Sequence, residues 1–327
     1  MSPNISSWKT SISKGEYQRK RSQFRHWITA EGAAGPDGEA GFKAEAGRYH
    51  LYVSLACPWT HRTLIFRQLK DLQALISVSV VHPDMHEKGW SFKHDKDAAT
   101  RYGTTGDKLY GSDYLSQRYR ESAADYHGNI TVPVLWDTQQ RCIVNNESAD
   151  IIRMFNNAFN HLSGNTLDFY PGPLREEIDE VNAWVYSAIN NGVYKTGFAT
   201  TQQAYARHCE ELFSALDDTE QRLRRQRFLT GDQITEADWR LFTTLIRFDA
   251  VYHTHFKCNI RLIKEYHALY HYMLELYQLP GIADTVNMAH TKRHYYASHL
   301  SINPCGIVPL GHEQNWQAPH NRESLRS

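Results

Sequence analysis

The sequence is constrained most by a strand–helix–strand pattern between residues 48 and 83. Residues 48–56 (RYHLYVSLA) are rich in β-branched and aromatic side chains, which indicates a strand. Residues 58–70 (PWTHRTLIFRQLK) open with proline and carry apolar side chains at helical spacing, and residues 75–83 (LISVSVVHP) indicate a second strand. A βαβ unit of this kind predicts two parallel strands joined by a helix.

The rest of the first half completes a recognisable order of elements. Residues 84–128 are loop-like with short helical pieces. Residues 131–137 (TVPVLWD) and 141–146 (RCIVNN) flank a turn, which predicts a β-hairpin. A helix is expected to begin near Glu147. The resulting order, β-α-β, a long insertion and then β-β-α, is that of a thioredoxin-like domain.

The second half is predicted to be almost wholly helical. Apolar and polar residues mix at helical periods, and Thr235 with Asp238 resembles a capping box. We therefore expect an α/β thioredoxin-like N-terminal domain followed by an all-α C-terminal domain. The predicted limits are an N-terminal arm at 1–44, a thioredoxin-like domain at 45–160, a linker at 161–173, a helical domain at 174–300 and a C-terminal tail at 301–327.

The charge balance narrows the set of partners. The 327 residues include 36 Lys or Arg and 36 Asp or Glu, so the formal net charge is zero. A protein that coats nucleic acid or an anionic membrane would have a basic surface. No apolar run approaches the ~20 residues of a membrane span, and the polar N-terminus lacks the apolar core of a signal peptide. We expect a cytoplasmic protein without nucleic-acid or membrane partners.

The cysteines argue against a disulfide framework and a zinc finger, and they fit a reducing compartment. They are odd in number, widely spaced and form no CxxC pair: Cys57, Cys142, Cys209, Cys258 and Cys305. His82, His86 and His94 have a spacing too loose for a metal site, so no metal is predicted.

Cys57 has the sequence setting of a reactive thiol. It follows a predicted strand and precedes Pro58, the expected first residue of a helix, where free N–H groups and the helix dipole favour a thiolate. The second position of a dithiol motif is Thr60. The thiol would therefore form a mixed disulfide with an outside thiol, which a second outside thiol resolves. The alternative is a small buried cysteine on a core helix.

Two further segments indicate a binding site. Val132–Pro133 opens a strand, where proline is often cis and holds neighbouring backbone at a site. The alternative is a proline that only marks a turn. Asn146, Glu147 and Ser148 stand at a predicted helix start. There N–H groups and a hydroxyl can hold a carboxylate while Glu147 takes an ammonium group. Ordinary helix capping is the alternative at this position.

At these residues the sequence resembles the glutathionyl-hydroquinone reductases, the Xi class of glutathione transferases. The resemblance covers nearly the whole chain. It is carried by the runs RYHLYVSLACPWTHRTLI, KGWSF, TVPVLWD, IVNNESADIIRMFN, NNGVYKTGFATTQQAY, TEADWRLFTTLIRFDAVYHTHFKCN, LPGIADTVNM and INPCGIVPLG. It implies the glutathione-transferase architecture, a thioredoxin-like domain followed by an all-helical domain, in a homodimer.

The resemblance also implies residues that bind glutathione as a co-substrate. Cys57 maps to the catalytic thiol of the family, and Trp90 maps to a tryptophan that contacts glutathione. Val132 would pair with the peptide backbone of glutathione. Glu147 and Ser148 would hold its γ-glutamyl end.

On the hydroquinone side, the resemblance implies two catalytic tyrosines, Tyr194 and Tyr295. Their phenols could hydrogen-bond a quinol oxygen, and a packed helix aromatic is the alternative for each. Two positions depart from the family pattern. Thr60 stands where alanine is usual, and Asn129 stands where an arginine often helps to hold glutathione. An amide is a weaker carboxylate partner than a guanidinium.

The expected function is glutathione-dependent reduction of glutathionyl-hydroquinones to hydroquinones. The reaction would pass through a Cys57–glutathione mixed disulfide and release glutathione disulfide. One alternative is an omega-like glutathione thiol transferase or dehydroascorbate reductase, which shares the cysteine and the fold. Another is a non-catalytic binding module of the transferase fold, which predicts an unreactive Cys57.

Overall fold

The computed structural model describes residues 12–19, 21–312 and 314–325, so the first part of the predicted arm and the end of the predicted tail lie outside the described residues. The strands are β1 (Ile12–Ser13), β2 (Glu16–Tyr17), β3 (Trp27–Thr29), β4 (Gly41–Lys43), β5 (Tyr49–Val53), β6 (Ile76–Val80), β7 (Val134–Asp137) and β8 (Cys142–Asn145).

From β5 onward, strands and helices follow one another along the chain in the order that the sequence predicts. The helices are α1 (Pro58–Leu69), α2 (Lys96–Tyr102), α3 (Ser116–Ser122), α4 (Ser148–Asn157), α5 (Asn160–Ser163), α6 (Arg175–Val185), α7 (Gly192–Gly197), α8 (Gln202–Leu223), α9 (Glu236–Arg247), α10 (His253–His255), α11 (His267–Tyr277) and α12 (Met288–Ser298). An α/β first half and an all-helical second half are thus both confirmed.

A four-stranded sheet of order β6-β5-β7-β8 forms the centre of the first half. β5 and β6 are parallel, and β7 is antiparallel to both β5 and β8, which confirms the predicted βαβ unit and hairpin. Alternate side chains of β5 enter two apolar clusters. Leu51 and Val53 belong to the larger cluster, and Tyr52 belongs to a second one that includes Trp90. Because both faces of the sheet are covered, β5 is buried along its whole length.

Helix α1 connects the sheet to the helical half. It begins at Pro58, with Cys57 as the N-cap residue in extended backbone (φ −76°, ψ 121°). Proline fits this first helical position because the N–H that it lacks would have no partner within the helix. The helix packs against α4 in its own half and α9 in the other. Cys57 therefore lies where the two halves meet.

The described part of the N-terminal arm packs on the thioredoxin-like half. β3 pairs in parallel with β4, and Ile28 is fully buried. The Arg25 guanidinium forms an ion pair with Asp150 in α4, with Nη2 and Oδ1 2.9 Å apart. The composition of the arm did not indicate whether it packs on the body, because pairs of three-residue strands carry no periodic pattern.

Helix α9 is the central helix of the second half, and all of its residues are buried. The predicted capping box is confirmed, since the Asp238 carboxylate accepts a hydrogen bond from the Thr235 N–H at 2.8 Å. The same carboxylate accepts hydrogen bonds from the Leu229 N–H and the Tyr272 hydroxyl, each at 2.8 Å. These bonds fix the start of α9 and so the position of its far end, Arg247.

Two π-helical turns interrupt the helices of the second half, at Tyr186–Asn190 and Phe248–Tyr252. Such turns are frequent at functional sites because they redirect side chains. The first turn contains Tyr186, whose ring centroid lies 5.8 Å from that of Trp59, and the second contains Tyr252, which is described below. Within the described residues, no helix is both long and apolar enough to span a membrane.

Candidate active site

The Cys57 thiol lies at the N-terminus of α1, where the free N–H groups of the first turn favour a negative charge. Its Sγ donates to the carbonyl oxygen of Val132 over 3.7 Å. The Val132–Pro133 peptide bond is cis, as the sequence indicated. The thiol is half-buried and so retains contact with solvent. A strand, a helix start and a facing backbone carbonyl thus surround one accessible sulfur.

The other cysteines lack this setting. Burial raises the pKa of Cys142, Cys209 and Cys258 above the ordinary thiol value, which disfavours the thiolate. Cys305 is exposed in the C-terminal tail, outside any helix. Only Cys57 combines a helix start with access to solvent.

A cleft of about 90 Å³ borders the Cys57–Val132 contact. Three residues predicted to bind glutathione, Val132, Glu147 and Ser148, form part of its lining, as does Asn129. The complete lining is Tyr17, Arg19, Arg21, Ser22, Gln23, Trp59, Tyr126, Gly128, Asn129, Thr131, Val132, Pro133, Asn146, Glu147 and Ser148. One wall is therefore the N-terminal arm, a contribution that sequence reasoning missed.

Glu147 is the N-cap residue of α4 and is held as a carboxylate. Its Oε1 accepts from the Ala149 N–H at 3.2 Å, and its Oε2 accepts from the Ser22 hydroxyl at 3.0 Å. Burial opposes ionisation, but the charge of Arg19 and these hydrogen bonds outweigh it, so the pKa of Glu147 lies below its ordinary value. A negative group at this wall suits an ammonium ligand.

Arg19 provides a positive charge in the same cleft. Its guanidinium carbon lies 4.2 Å from the centre of the Trp59 ring, a cation–π contact. Burial disfavours the charge, but the phenol of Tyr17 and the carboxylate of Glu147 outweigh it and raise the pKa of Arg19. The arm therefore brings a cation and a hydroxyl donor to the cleft. The basic run Arg19-Lys20-Arg21 in a neutral chain is the sequence signal that could have indicated this.

The two predicted tyrosines lie together behind the cleft. The hydroxyls of Tyr194 and Tyr295 are 2.7 Å apart, although the residues are 101 positions apart in the chain. Tyr252, which sequence reasoning missed, places its hydroxyl 3.2 Å from that of Tyr295. Burial, then Tyr252 and then Cys57, raise the pKa of Tyr194 well above its ordinary value. The three phenols are therefore protonated and able to donate.

The phenol cluster adjoins the cleft through aromatic contacts. The ring of Tyr194 stacks on that of Trp59, with centroids 6.4 Å apart, and lies 6.3 Å from the ring of Tyr17. Tyr194 is 9% exposed, so a ring-shaped ligand would have to displace part of this packing to reach the phenols. The surroundings suit a flat aromatic molecule.

Trp90 does not line the cleft. It is buried, and its ring stacks on that of His294, with centroids 4.8 Å apart. It shares an apolar cluster with Val132, and Cys57 packs against this cluster, so Trp90 is linked to the site through apolar packing. Of the predicted residues, the structure thus brings Val132, Glu147 and Ser148 into the cleft itself.

Within the described part of the chain, no group of three or more His, Cys, Asp or Glu side chains is placed to hold a metal ion. Asp84, near the loosely spaced histidines, instead forms an ion pair with Arg293, with Oδ2 and Nη2 2.8 Å apart. The chemistry that the site can perform by itself is thiol exchange at Cys57, next to a cleft for a small zwitterion and a cluster of phenols.

Comparison with known proteins gives consistent matches over the chain. The family model of the glutathione S-transferase N-terminal domain matches residues 56–158, and that of the C-terminal domain matches residues 202–274. The chain is 52% identical to glutathionyl-hydroquinone reductase YqjG of Escherichia coli K12, over 96% of this chain and 94% of the relative. It is 47% identical to glutathionyl-hydroquinone reductase PcpF of Sphingobium chlorophenolicum, over 93% and 92%.

Solved structures agree with these matches. The glutathione-bound structure of YqjG, described as a glutathione transferase homologue, superposes with a TM-score of 0.89 at 53% identity, covering 92% of this chain and 96% of that one. The Xi glutathione S-transferase of Phanerochaete chrysosporium superposes with a TM-score of 0.85 at 47% identity, covering 94% and 96%. Both therefore share the arrangement of the two halves described above.

Proposed function

The chain belongs to the glutathionyl-hydroquinone reductases, the Xi class of glutathione transferases, and from this membership we propose that it reduces glutathionyl-hydroquinones with glutathione as co-substrate. The observation that carries the proposal is the placement of Cys57, at a helix N-terminus and 3.7 Å from the Val132 carbonyl at the edge of the cleft. As a glutathione-dependent oxidoreductase, it uses its own thiol and an outside thiol in turn.

The proposed reaction has two steps. In the first, the Cys57 thiolate attacks the sulfur of the glutathionyl group, and the bond between that sulfur and the aromatic ring breaks. The electron pair leaves with the ring carbon, which takes up a proton, and a Cys57–glutathione disulfide remains. In the second, the thiolate of another glutathione attacks this disulfide, which releases glutathione disulfide and the Cys57 thiolate. The hydroquinone gains one hydrogen, and two glutathionyl groups leave as the disulfide.

We assign the glutathione contacts as follows. The backbone of Val132 pairs with the peptide groups of glutathione, because it faces the cleft beside Cys57. Glu147 holds the α-ammonium group, and Ser148 at the start of α4 holds the α-carboxylate. Trp90 supports the wall at the cysteinyl sulfur, since its apolar cluster includes Val132.

Tyr194 and Tyr295 serve the hydroquinone in this proposal. Their protonated hydroxyls donate to a quinol oxygen, and one of them gives the proton that the ring carbon takes up. The phenol cluster favours a quinol over a small disulfide or dehydroascorbate, because neither of these needs aromatic surroundings.

We further propose that the protein is a cytoplasmic homodimer. Light scattering of the purified chain tests the oligomeric state.

The test is turnover of glutathionyl-menadiol with excess glutathione, following release of menadiol and of glutathione disulfide. We expect Cys57→Ser to lose at least about a thousandfold in kcat, because the nucleophile is removed. Cys305→Ser, the matched control at an exposed cysteine, keeps full activity. Incubation with one equivalent of substrate and no glutathione should leave a glutathione adduct on the Cys57 peptide, read by mass spectrometry.

Two results would contradict the proposal. Full turnover by Cys57→Ser excludes the mixed-disulfide mechanism. A kcat/KM for hydroxyethyl disulfide above that for glutathionyl-menadiol supports the omega-like thiol transferase instead.

A further inference from the structure

Arg247, the last residue of α9, binds the two carbonyl groups that precede Cys57. Its Nε–H donates to the carbonyl oxygen of Ala56 at 2.7 Å, and its Nη2–H donates to that of Leu55 at 2.9 Å. The side chain is 2% exposed. Because α9 belongs to the helical half, these bonds join the two halves of the molecule directly before the thiol.

The rest of the guanidinium is fixed in the same way. Its Nη1 donates to the Thr243 carbonyl and to His61 Nδ1, each at 2.9 Å. Since arginine only donates, His61 accepts at Nδ1 and carries its proton on Nε2, which donates to the Thr285 hydroxyl at 2.8 Å. Burial, and then the charge of Arg247, lower the pKa of His61 well below its ordinary value. The imidazole is therefore neutral.

The charge of Arg247 has no carboxylate as an ion-pair partner within the described residues; its hydrogen bonds go to carbonyl groups and to a neutral imidazole. Buried charges are usually paired, because an uncompensated charge in an apolar interior is costly. In the loop that Arg247 binds, the group that can become an anion is the Cys57 thiol, one residue after Ala56.

Among the other ionisable groups around this loop, four are neutral, and two arginines on the cleft side carry a positive charge. Burial raises the pKa of the phenols and lowers that of the imidazoles, so four neighbours are neutral near pH 7: Tyr194, Tyr252, His61 and His290. The charged side chains on the cleft side are Arg19 and Arg62, which both contact Trp59, and Glu147.

We propose that Arg247 is the positioning residue of Cys57, holding the Leu55 and Ala56 carbonyls so that the sulfur stays at the helix N-terminus, and providing the fixed charge that balances the thiolate. It acts through the loop and the sulfur, and it does not line the glutathione cleft. The inference depends on the proposed function in one respect, because it takes this thiolate to be the nucleophile.

The test compares Arg247→Gln with the unaltered full chain. Alkylation by iodoacetamide is followed on the Cys57 peptide by mass spectrometry at about pH 7 and about pH 10. We expect the variant to react about tenfold more slowly near neutrality and at the unaltered rate at high pH, where an accessible thiol ionises without help from a neighbouring charge. In the glutathionyl-menadiol assay, kcat should fall by a similar factor with the KM for glutathione unchanged.

Two further variants make the result specific. Arg247→Lys keeps the charge but has a single donor group, so its neutral-pH alkylation rate should lie between those of the other two proteins. Arg322→Gln is the matched control, because Arg322 is also buried and donates to the carbonyls of Leu223, Ala268 and Gln226, within the helical half. It should leave both alkylation rates unchanged.

The ratio of the rates at the two pH values decides the matter. An Arg247→Gln protein with the unaltered ratio overturns the proposal, and so does equal slowing at both pH values, since that reports loss of structure alone. If the Gln variant is insoluble, Arg247→Lys decides, and an unaltered kcat there overturns the proposal. Alkylation needs no substrate, so the expected alkylation result without any glutathionyl-menadiol turnover would contradict the proposed function and leave the role of Arg247 standing.

Discussion

The phenol of Tyr295 is the centre of the buried cluster behind Cys57, since its oxygen lies 2.7 Å from that of Tyr194 and 3.2 Å from that of Tyr252. A phenol in this position can donate to a quinol oxygen while its neighbours keep it oriented. Removing the central hydroxyl should therefore cost more than removing an outer one. The three phenols are uncharged, because burial raises the pKa of each of them.

We predict that Tyr295→Phe lowers kcat for glutathionyl-menadiol at least about 100-fold, the lower end of the range in which a positioned proton donor contributes. Tyr252→Phe should lower it less, and both should leave the alkylation rate of Cys57 within about twofold of the original. Steady-state kinetics with both variants make the comparison. Equal losses in the two, or none in Tyr295→Phe, would remove the central phenol from the mechanism.

Single residues differ in how far the sequence predicts them, for a physical reason. Cys57 is predictable because its neighbours in the chain make its setting: a strand before it and Pro58 after it. Tyr252 and Arg247 gain their roles from partners far away in the chain. Arg247, for example, meets Ala56 across 191 positions. Local patterns carry no information about such contacts, and only the family resemblance pointed to Tyr194 and Tyr295.

At the scale of elements, the N-terminal arm makes a contribution to the cleft that the sequence did not predict. The arm is fixed at its far end by the Arg25–Asp150 ion pair and by β3 against β4. Five of its residues then line the cleft together with Val132 and Glu147: Tyr17, Arg19, Arg21, Ser22 and Gln23. Arg19 and Ser22 therefore stand where a carboxylate or an ammonium group of glutathione would bind.

We predict that Arg19→Met raises the KM for glutathione about 10-fold or more, because a charge-assisted contact to a carboxylate contributes roughly 1.5–3 kcal/mol. The kcat at saturating glutathione should change little. Lys14→Met is the control, since it removes a positive charge of the arm outside the cleft lining. Isothermal titration with glutathione provides a second measurement, and unchanged affinity in Arg19→Met would exclude the arm from binding.

The position of helix α9 affects the active site, because Asp238 fixes the start of the helix and Arg247 at its end binds the loop before Cys57. Asp238 accepts hydrogen bonds from Thr235, Leu229 and Tyr272 with none of its side chain exposed. The capping box was predictable from the four-residue pattern, whereas the bonds to Leu229 and Tyr272 were not.

We predict that Asp238→Ala lowers the free energy of unfolding by about 3–5 kcal/mol, since buried donors on three residues lose their acceptor. Asp218→Ala, at an exposed position of α8, should change it by less than about 0.5 kcal/mol. Urea unfolding followed by circular dichroism measures both. A loss of under about 1 kcal/mol in Asp238→Ala would mean that the donors find other partners.

At the scale of the whole molecule, the two halves meet around Cys57, and both halves bury neutral histidines. The predicted order of domains agrees with the order of the observed elements, while the limits of the arm, linker and tail remain proposals. Burial lowers the pKa of His50, His255 and His294 to about 4, and that of His290 to about 3. His50 is held between the Ser77 and Ser79 hydroxyls, at 2.6 and 2.8 Å.

These histidines make the stability of the molecule depend on pH in a definite direction. In the unfolded chain each histidine titrates near its ordinary pKa of about 6.5. Between that pKa and the lowered one, the unfolded chain therefore binds a proton at each histidine that the folded chain does not bind. Their contribution to stability is therefore complete above about pH 6.5 and is lost as the pH falls toward 4. Each histidine contributes about 1.4 kcal/mol per pH unit in that window, so the four together contribute roughly 5 kcal/mol per unit.

We predict that the free energy of unfolding in urea falls steeply from about pH 6.5 to about pH 5 and changes little between about pH 7 and 8. His50→Gln, which keeps an uncharged hydrogen-bonding group between the serines, should reduce the slope by about 1.4 kcal/mol per pH unit. His161→Gln, at an exposed position, is the matched control and should leave the slope as it is. A stability that is constant down to about pH 5 would show that these imidazoles take up protons without unfolding the chain. The loss of stability at low pH should also disturb the active site, because His290 contacts the Ser54 hydroxyl, three residues before Cys57.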